Sequence, residues 1–354
     1  MNEAHAASSA VGGQPRHLGL GLDAGKLLEM YRHMVLTRAI DRRMWVLNRQ
    51  GKAPFVISAQ GHEAAQVGAA AAMRPGVDWL APYYRDLAFS IALGLTPLEF
   101  MLSVFSKAAD PTSGARQMPS HFSLRRARIV TSSSVVATQV LHAAGIAYAS
   151  KLRGLDEVAV TCLGEGGTSG GDWHEAMNFA AVHRLPFICI VQDNDYAISV
   201  PHSLQMGVDS AASRAAGYGM AGTTVDGGDI LAVYETMAEA VSRARSGGGP
   251  TLISAKVARF TSHSSDDDQR RYRPREELEA MLERDPIERF RSYLLQEAVL
   301  SPEVDERLQH DCTAEVDRAV ERAEAAEPPG ADQLLDNLFQ ADGRAGEAGW
   351  PSER

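Results

Sequence analysis

The chain has 354 residues and a formal net charge of −10, with 45% hydrophobic and 23% charged residues. This is the composition of an ordinary globular protein, with material for one large α/β domain or two small ones. The acidic balance argues against a nucleic-acid partner, whose phosphates need a basic face, and no apolar run approaches the roughly 20 residues of a membrane span. Residues 1–22 have no hydrophobic signal-peptide core and read as a disordered tail. Asp23 caps a helix running to about Gln50, with Leu27, Met30, Met34 and Trp45 on one face and Gly51 at its end. Residues 55–58 form a short apolar link. An alanine-dense helix spans about residues 62–73 and can pack closely on a neighbour. Residues 78–86, DWLAPYYRD, join helices. Thr96-Pro97-Leu98-Glu99 is a capping box with proline at the first helical position, opening a helix to about Phe105. Residues 108–128 look irregular, and a loop of that length that holds Met118 and His121 reads as functional. The basic cluster at 125–128 reads as surface ion pairs. Residues 129–136 read as a serine-rich strand or strand end, before a small-residue helix over about 138–150.

The next stretch is the densest in signals. Residues 158–163 form a short β-branched apolar run, the pattern of a buried strand, and stop at Gly164-Glu165-Gly166. Asp172 with Glu175 three residues later suggests a capped helix. A second apolar run, residues 187–191, ends in Gln192-Asp193-Asn194-Asp195. Strand, helix and strand at this spacing make a βαβ unit. It delivers Glu165 and Asn194 to one sheet edge, where ligands bind in open α/β sheets. Beyond it come a brief strand over 223–225, a helix capped by Asp229 and closed by glycines 247–249, and a strand over 251–257. Residues 259–273 form a second polar loop. Helices opened by Asp285-Pro286 and Ser301-Pro302 follow, the latter reaching about Ala325. Leu334, Leu335, Leu338 and Phe339 suggest a docking patch. The expectation is one three-layer αβα domain over residues 23–340, with a mostly parallel sheet, helical extensions and a flexible tail over 341–354. Cys162, Cys189 and Cys312 form no paired spacing and read as buried, reduced thiols, which suits a cytoplasmic protein.

Glu165 and Asn194 offer hard oxygen ligands. With water and phosphate oxygens they would complete an octahedral Mg²⁺ site carrying a phosphorylated ligand. Dinucleotide and P-loop readings are weak. Position 169 is serine where a GxGxxG fingerprint needs glycine, and no GK[ST] phosphate loop occurs.

Gly164-Glu165-Gly166, 26 intervening residues and then Asp193-Asn194 resemble the thiamine-diphosphate motif. GEGGTSGGDWHEAMNFAAV, YAISV, GHEAAQVGAA, PYYRD, ARQMP and HSSDDD with RYR are similar to the alpha subunits of the decarboxylating component of 2-oxo acid dehydrogenase complexes. The resemblance spans about residues 27–339. Glu165, the RQMP block and the HSS loop look more like the branched-chain type than the pyruvate type. The resemblance implies thiamine diphosphate and Mg²⁺ as cofactors. Glu165, Asn194 and the carbonyl of Tyr196 would hold the metal. Tyr84 and Arg85 would bind the diphosphate, with Gly164 and Gly166 in the motif turn, Ser134 and Val136 near the rings, and Gln192 reaching a phosphate. Arg259 would anchor the loop of His263, the catalytic candidate. Phe55, Tyr84, Met118 and His121 would line the 2-oxo acid side. The resemblance also implies a beta subunit in an assembly of two alpha and two beta chains, and a lipoyl-bearing acyltransferase. Two rivals stand beside it: a pyruvate or acetoin enzyme of the same family, and a non-catalytic binding protein that keeps the fold. Asp193 replaces the first asparagine of the usual pair, Asp195 a glycine that often marks positive φ, and Ala115 another glycine.

Overall fold

The computed structural model describes residues 14–333. In chain order the elements are α1 (Arg16–Gly19), α2 (Ala24–Arg49), α3 (Glu63–Ala71), β1 (Trp79–Ala81), α4 (Leu87–Ala92), α5 (Pro97–Val104), α6 (Thr138–Leu152), β2 (Ala159–Gly164), α7 (Gly171–Val182), β3 (Phe187–Asp193), β4 (Tyr196–Ala197), β5 (Val200–Pro201), α8 (Ala215–Tyr218), β6 (Ala221–Asp226), α9 (Ile230–Arg245), β7 (Thr251–Lys256), α10 (Arg275–Leu282), α11 (Pro286–Gln296) and α12 (Pro302–Ala325). Five strands form one parallel sheet in the order β1-β2-β3-β7-β6. The pair β4-β5 is a separate hairpin.

The strand sequences dictate the layers. Parallel strands covered on both faces need apolar residues at nearly every position, and every residue of β3 is buried. Val160, Cys162, Ile188, Ile190 and Ile253 face a core built with α2, α3, α9 and α12. Ala159, Leu163, Phe187, Cys189 and Val191 face the other core, with α6 and α7. Helices therefore cover both faces, which is the expected three-layer arrangement.

Helix starts follow their caps. Asp23 accepts from the Lys26 N–H at 2.8 Å. Thr96 and Glu99 close their capping box, and Asp229, Asp285 and Ser301 cap α9, α11 and α12. The arginines at 126 and 128 pair with Glu99 and Glu157, the surface ion pairs expected there. All three cysteines are free and buried.

Four expectations need correction. Residues 14–22 are folded: Arg16 pairs with Asp229 at 2.7 Å, and buried His17 meets Tyr293 Oη at 2.8 Å. Residues 129–136 are not a strand, since only Ile129 bridges to neighbours and the serines run in coil. Asp172 does not cap α7. That helix starts at Gly171, directly after a 3₁₀ turn over Glu165–Ser169, and Asp172 instead accepts from Thr138 Oγ1 at 3.3 Å. Strand β1 and helix α4 lie in and beside the stretch read as a link, each too short to show a period. Residues 1–13 and 334–354 lie outside the described residues, and with them the rest of the expected N-terminal tail, the Leu334 to Phe339 patch and the tail over 341–354. Among the described residues no helix is long and apolar enough to cross a membrane.

Candidate functional site

Gly164 pairs in register with Gln192, so β2 and β3 end together. The chain leaves them at Glu165 and Asn194, and the Asn194 N–H donates to Glu165 Oε2 at 3.2 Å. Both side chains are buried, yet among the described residues Glu165 Oε1 and Asn194 Oδ1 have no hydrogen-bond partner. A buried, unsatisfied polar group costs about 1–3 kcal/mol. Burial, with Asp193 beside it, pushes the Glu165 carboxyl up to about 7. Two converging oxygen acceptors in so tight a space suit a small hard cation.

The β4-β5 hairpin lies on this turn. A Cβ at Gly166 would stand 2.6 Å from Ala197 Cβ, so glycine is required there. Asp195 has φ +67°, the left-handed conformation that its replacement of a glycine suggested. The Tyr196 carbonyl already accepts from Arg259 Nη1 at 3.5 Å. Asp193, Asp195 and His202 also gather ligand atoms within 4.8 Å of one another. Lys256 Nζ sits 2.6 Å from Asp193, however, so that carboxylate has its counter-ion.

Two buried guanidinium groups lie nearby. Arg85 is 2% exposed and Arg259 1%, and among the described residues neither pairs with a carboxylate. Arg85 donates through Nη1 to the Ser58 carbonyl at 2.5 Å and through Nη2 to the His263 carbonyl at 3.3 Å. Arg259 donates through Nη2 to the Ile198 carbonyl at 2.9 Å and to Tyr272 Oη at 3.0 Å, while its Nε has no partner among the described residues. Burial and the charge of Arg85 depress Arg259's affinity for its proton. Buried cations facing only neutral acceptors are costly, and they suit a multiply charged anion.

His263 is next to both. Burial, then Arg85 and Arg259, push its imidazole down to about 4, so it is neutral near pH 7. Its Nδ1 faces Arg85 Nη2 at 3.5 Å and so accepts, leaving the proton on Nε2. The Tyr84 ring meets His263 edge-on at 5.9 Å and lies 5.6 Å from the Arg85 guanidinium.

Of the remaining candidates, Met118, His121 and Ser134 come together, whereas Val136 and Phe55 are placed separately. His121 Nδ1 faces the carbonyls of Met118 at 3.1 Å and Pro119 at 3.3 Å, so it carries the proton, and Nε2 takes the hydroxyl of Ser134. Met118 and Val136 are exposed apolar groups, and a Cβ at Gly167 would stand 3.1 Å from Val136 Cγ1. Phe55 is half-buried. Its neighbour Val56 accepts from the Ser265 N–H at 2.8 Å, which ties the Phe55 segment to the His263 loop.

Gln192 corrects the sequence reading. Its Nε2 donates to Asp86 Oδ1 at 2.6 Å, and its Oε1 accepts from Gln66 Nε2 at 2.9 Å. Both ends of the amide are held by protein, so it does not reach toward a phosphate.

Sequence reasoning also missed the supports. Buried Asp41 accepts from the Ala59 N–H at 2.6 Å, Ser58 Oγ at 2.9 Å and Gln60 Nε2 at 3.0 Å, and so shapes the turn whose carbonyl holds Arg85. A charged residue on the Met30 and Met34 face of α2 was the available signal. His62 is fully buried. Burial, Arg85 and Arg259 hold it well below the ordinary histidine range.

Residues 31–332 match the family described as the dehydrogenase E1 component. The chain is 49% identical over 324 residues to the 2-oxoisovalerate dehydrogenase subunit alpha of Bacillus subtilis, covering 92% of this chain and 98% of that protein. It is 42% identical over 279 residues to the 3-methyl-2-oxobutanoate dehydrogenase subunit alpha of Mycobacterium tuberculosis, covering 79% and 73%. Against the pyruvate dehydrogenase E1 component subunit alpha of Bacillus cereus the identity is 35% over 320 residues, covering 90% and 83%.

Proposed function

The chain belongs to the dehydrogenase E1 component family, and on that footing we propose that it is the alpha subunit of a branched-chain 2-oxo acid dehydrogenase. The observation that carries the reading at the site is a matched pair of deficits. Among the described residues two buried oxygen acceptors, Glu165 Oε1 and Asn194 Oδ1, have no hydrogen-bond partner, and the two buried guanidinium groups of Arg85 and Arg259 pair with no carboxylate. Thiamine diphosphate with Mg²⁺ supplies both, so the residues present fit the group.

Glu165, Asn194 and the Tyr196 carbonyl would hold the metal. Tyr84, Arg85 and Arg259 would grip the diphosphate, with Ser134 and Val136 beside the rings. When bound, thiamine diphosphate supplies the carbon nucleophile for the keto group and the sink for the electron pair left as CO₂ departs. The protein's part is position and charge. Arg85 braces His263 through both its carbonyl and Nδ1, which leaves the Nε2 proton free to donate to an oxygen developing charge. Phe55, Met118 and Val136 offer apolar surface suited to an aliphatic 2-oxo acid, and His121 a polar one. The acyl group would pass to a lipoyl group on an acyltransferase partner. A beta subunit would supply the carboxylate that activates the cofactor's aminopyrimidine, in an assembly of two alpha and two beta chains, in the cytoplasm.

The test uses this chain co-expressed with its beta subunit. Decarboxylation of 3-methyl-2-oxobutanoate is expected to exceed that of pyruvate. A strong pyruvate preference overturns the branched-chain assignment, and calorimetry showing no binding of thiamine diphosphate with Mg²⁺ ends the enzyme reading.

A further inference from the structure

The site has two halves carried by different parts of the fold. The metal half, Glu165 and Asn194, hangs from the ends of β2 and β3. The anion half, Tyr84 and Arg85, sits on the turn between β1 and α4. One buried polar network joins them. Gln192 lies on β3, two residues before Asn194. Its Nε2 donates to Asp86 Oδ1 at 2.6 Å, and Asp86 Oδ2 accepts from the Tyr83 N–H at 2.9 Å. Gln66 on α3 donates through Nε2 to Gln192 Oε1 at 2.9 Å and to the Arg85 carbonyl at 3.0 Å. Gln66 Oε1 accepts from the Ala88 and Phe89 N–H groups at 3.0 and 3.3 Å, at the start of α4. Tyr83 Oη reaches Gln192 Oε1 at 3.4 Å. Gln66, Gln192 and Asp86 are each 1% exposed or less.

We propose that Gln192 and Gln66 are positioning residues: a strut that holds the Arg85 turn in register with Asn194, so that one metal-bridged diphosphate can meet both halves at once. The proposal rests on the reading of the site as a metal-diphosphate site. The strut's backbone contacts fall on Tyr83, Arg85, Ala88 and Phe89, which are the residues that fix where the Arg85 side chain starts. Its other end is fixed by strand pairing, since Gln192 is in register with Gly164 on β2 and Ala255 on β7. Every amide end in it is satisfied, and such fully connected buried networks specify one arrangement. Removing one partner leaves the others buried and unpaired, and the turn then moves to regain hydrogen bonds.

This geometry separates two ligands. Inorganic pyrophosphate without metal needs only the arginine half, and can follow a displaced turn. Pyrophosphate with Mg²⁺ needs both halves in register. Calorimetry on the alpha chain co-expressed with its beta subunit measures both affinities in wild type, Gln192→Met and Gln66→Met. Methionine keeps the length of glutamine without its hydrogen bonds. In both variants the affinity for Mg²⁺-pyrophosphate is expected to fall about tenfold, or about 1.4 kcal/mol, and that for metal-free pyrophosphate by less than about threefold. Gln66→Met reads the same strut from the other end should Gln192→Met fail to fold. Variants that match wild type with both ligands, or that lose both by the same factor, overturn the strut. A wild type that binds neither ligand overturns the site reading beneath it, an outcome distinct from the first two.

Discussion

Replacing Glu165 by glutamine isolates the electrostatic cost that the metal-free chain carries. Burial and Asp193 raise this carboxyl from the ordinary 4.5 to about 7. At about 1.4 kcal/mol per tenfold change in proton affinity, that is about 3 kcal/mol. The folded state holds the proton more tightly than the unfolded chain. Stability therefore falls as pH rises from about 4.5, and this group's whole contribution of about 3 kcal/mol is lost above about 7. Glutamine fills the same space and does not titrate. Below pH about 4.5 the two proteins should be equally stable, and above about 7 the Glu165→Gln variant should be more stable by about 3 kcal/mol. For a chain of this size that gap is about 6 °C in the thermal midpoint. The assay is thermal unfolding of chelator-treated protein from about pH 4.5 to 8, then again with Mg²⁺ and thiamine diphosphate. Ligand should raise wild type and leave Glu165→Gln nearly unmoved. A gap that does not change with pH, or an equal response to ligand, refutes the reasoning.

Arg85→Met should weaken diphosphate binding about 100-fold by calorimetry, as charge-assisted hydrogen bonds are lost. Its thermal midpoint should move little, because the cost of burying a cation without a carboxylate is removed along with its hydrogen bonds to Ser58 and His263. Retained affinity would count against the anion role. His263→Ala should still bind cofactor but transfer acyl groups to lipoyl far more slowly, and normal transfer would remove it from the mechanism. In the cofactor-free wild type, NMR should show His263 neutral down to about pH 5, since its affinity for protons is pushed down to about 4; that depression costs stability as pH falls below about 6.5. Gly61→Ala should destabilise by about 2 kcal/mol or more in chemical denaturation. Gly61 has φ +93°, and a Cβ there would stand 2.2 Å from the Ala258 carbonyl oxygen. A neutral result would mean the 58–61 turn is free to shift.

Much of this arrangement was legible in the chain. Short β-branched runs named β2, β3 and β7, cap residues placed α2, α5, α9, α11 and α12, and the Glu165 and Asn194 pair followed from two strands ending together. What escaped was tertiary. Nothing local brings Arg259 beside Arg85, or Asp41 under Ser58. Gln192 escaped for a readable reason. Side chains on a strand alternate, so Gln192 shares the face of Ile188 and Ile190, which packs on the layer holding α3 and α9. That parity aims it at Gln66 and Asp86. The cap at Asp172 and the strand over 129–136 failed because a 3₁₀ turn and one bridging residue, Ile129, took their places.

The strand order also sets a timetable for synthesis. Among the described residues β7 is the last strand made, yet it lies between β3 and β6, and β6 has no other neighbour in the sheet. β1 waits about 80 residues for β2. At roughly 5–20 residues per second on the ribosome, that wait alone is several seconds. Until Thr251–Lys256 emerges, both β3 and β6 present open edges, the usual templates for unwanted pairing. A nascent chain halted upstream of Thr251 is therefore the form most prone to aggregate, and β7 acts as the keystone that closes the sheet from its middle.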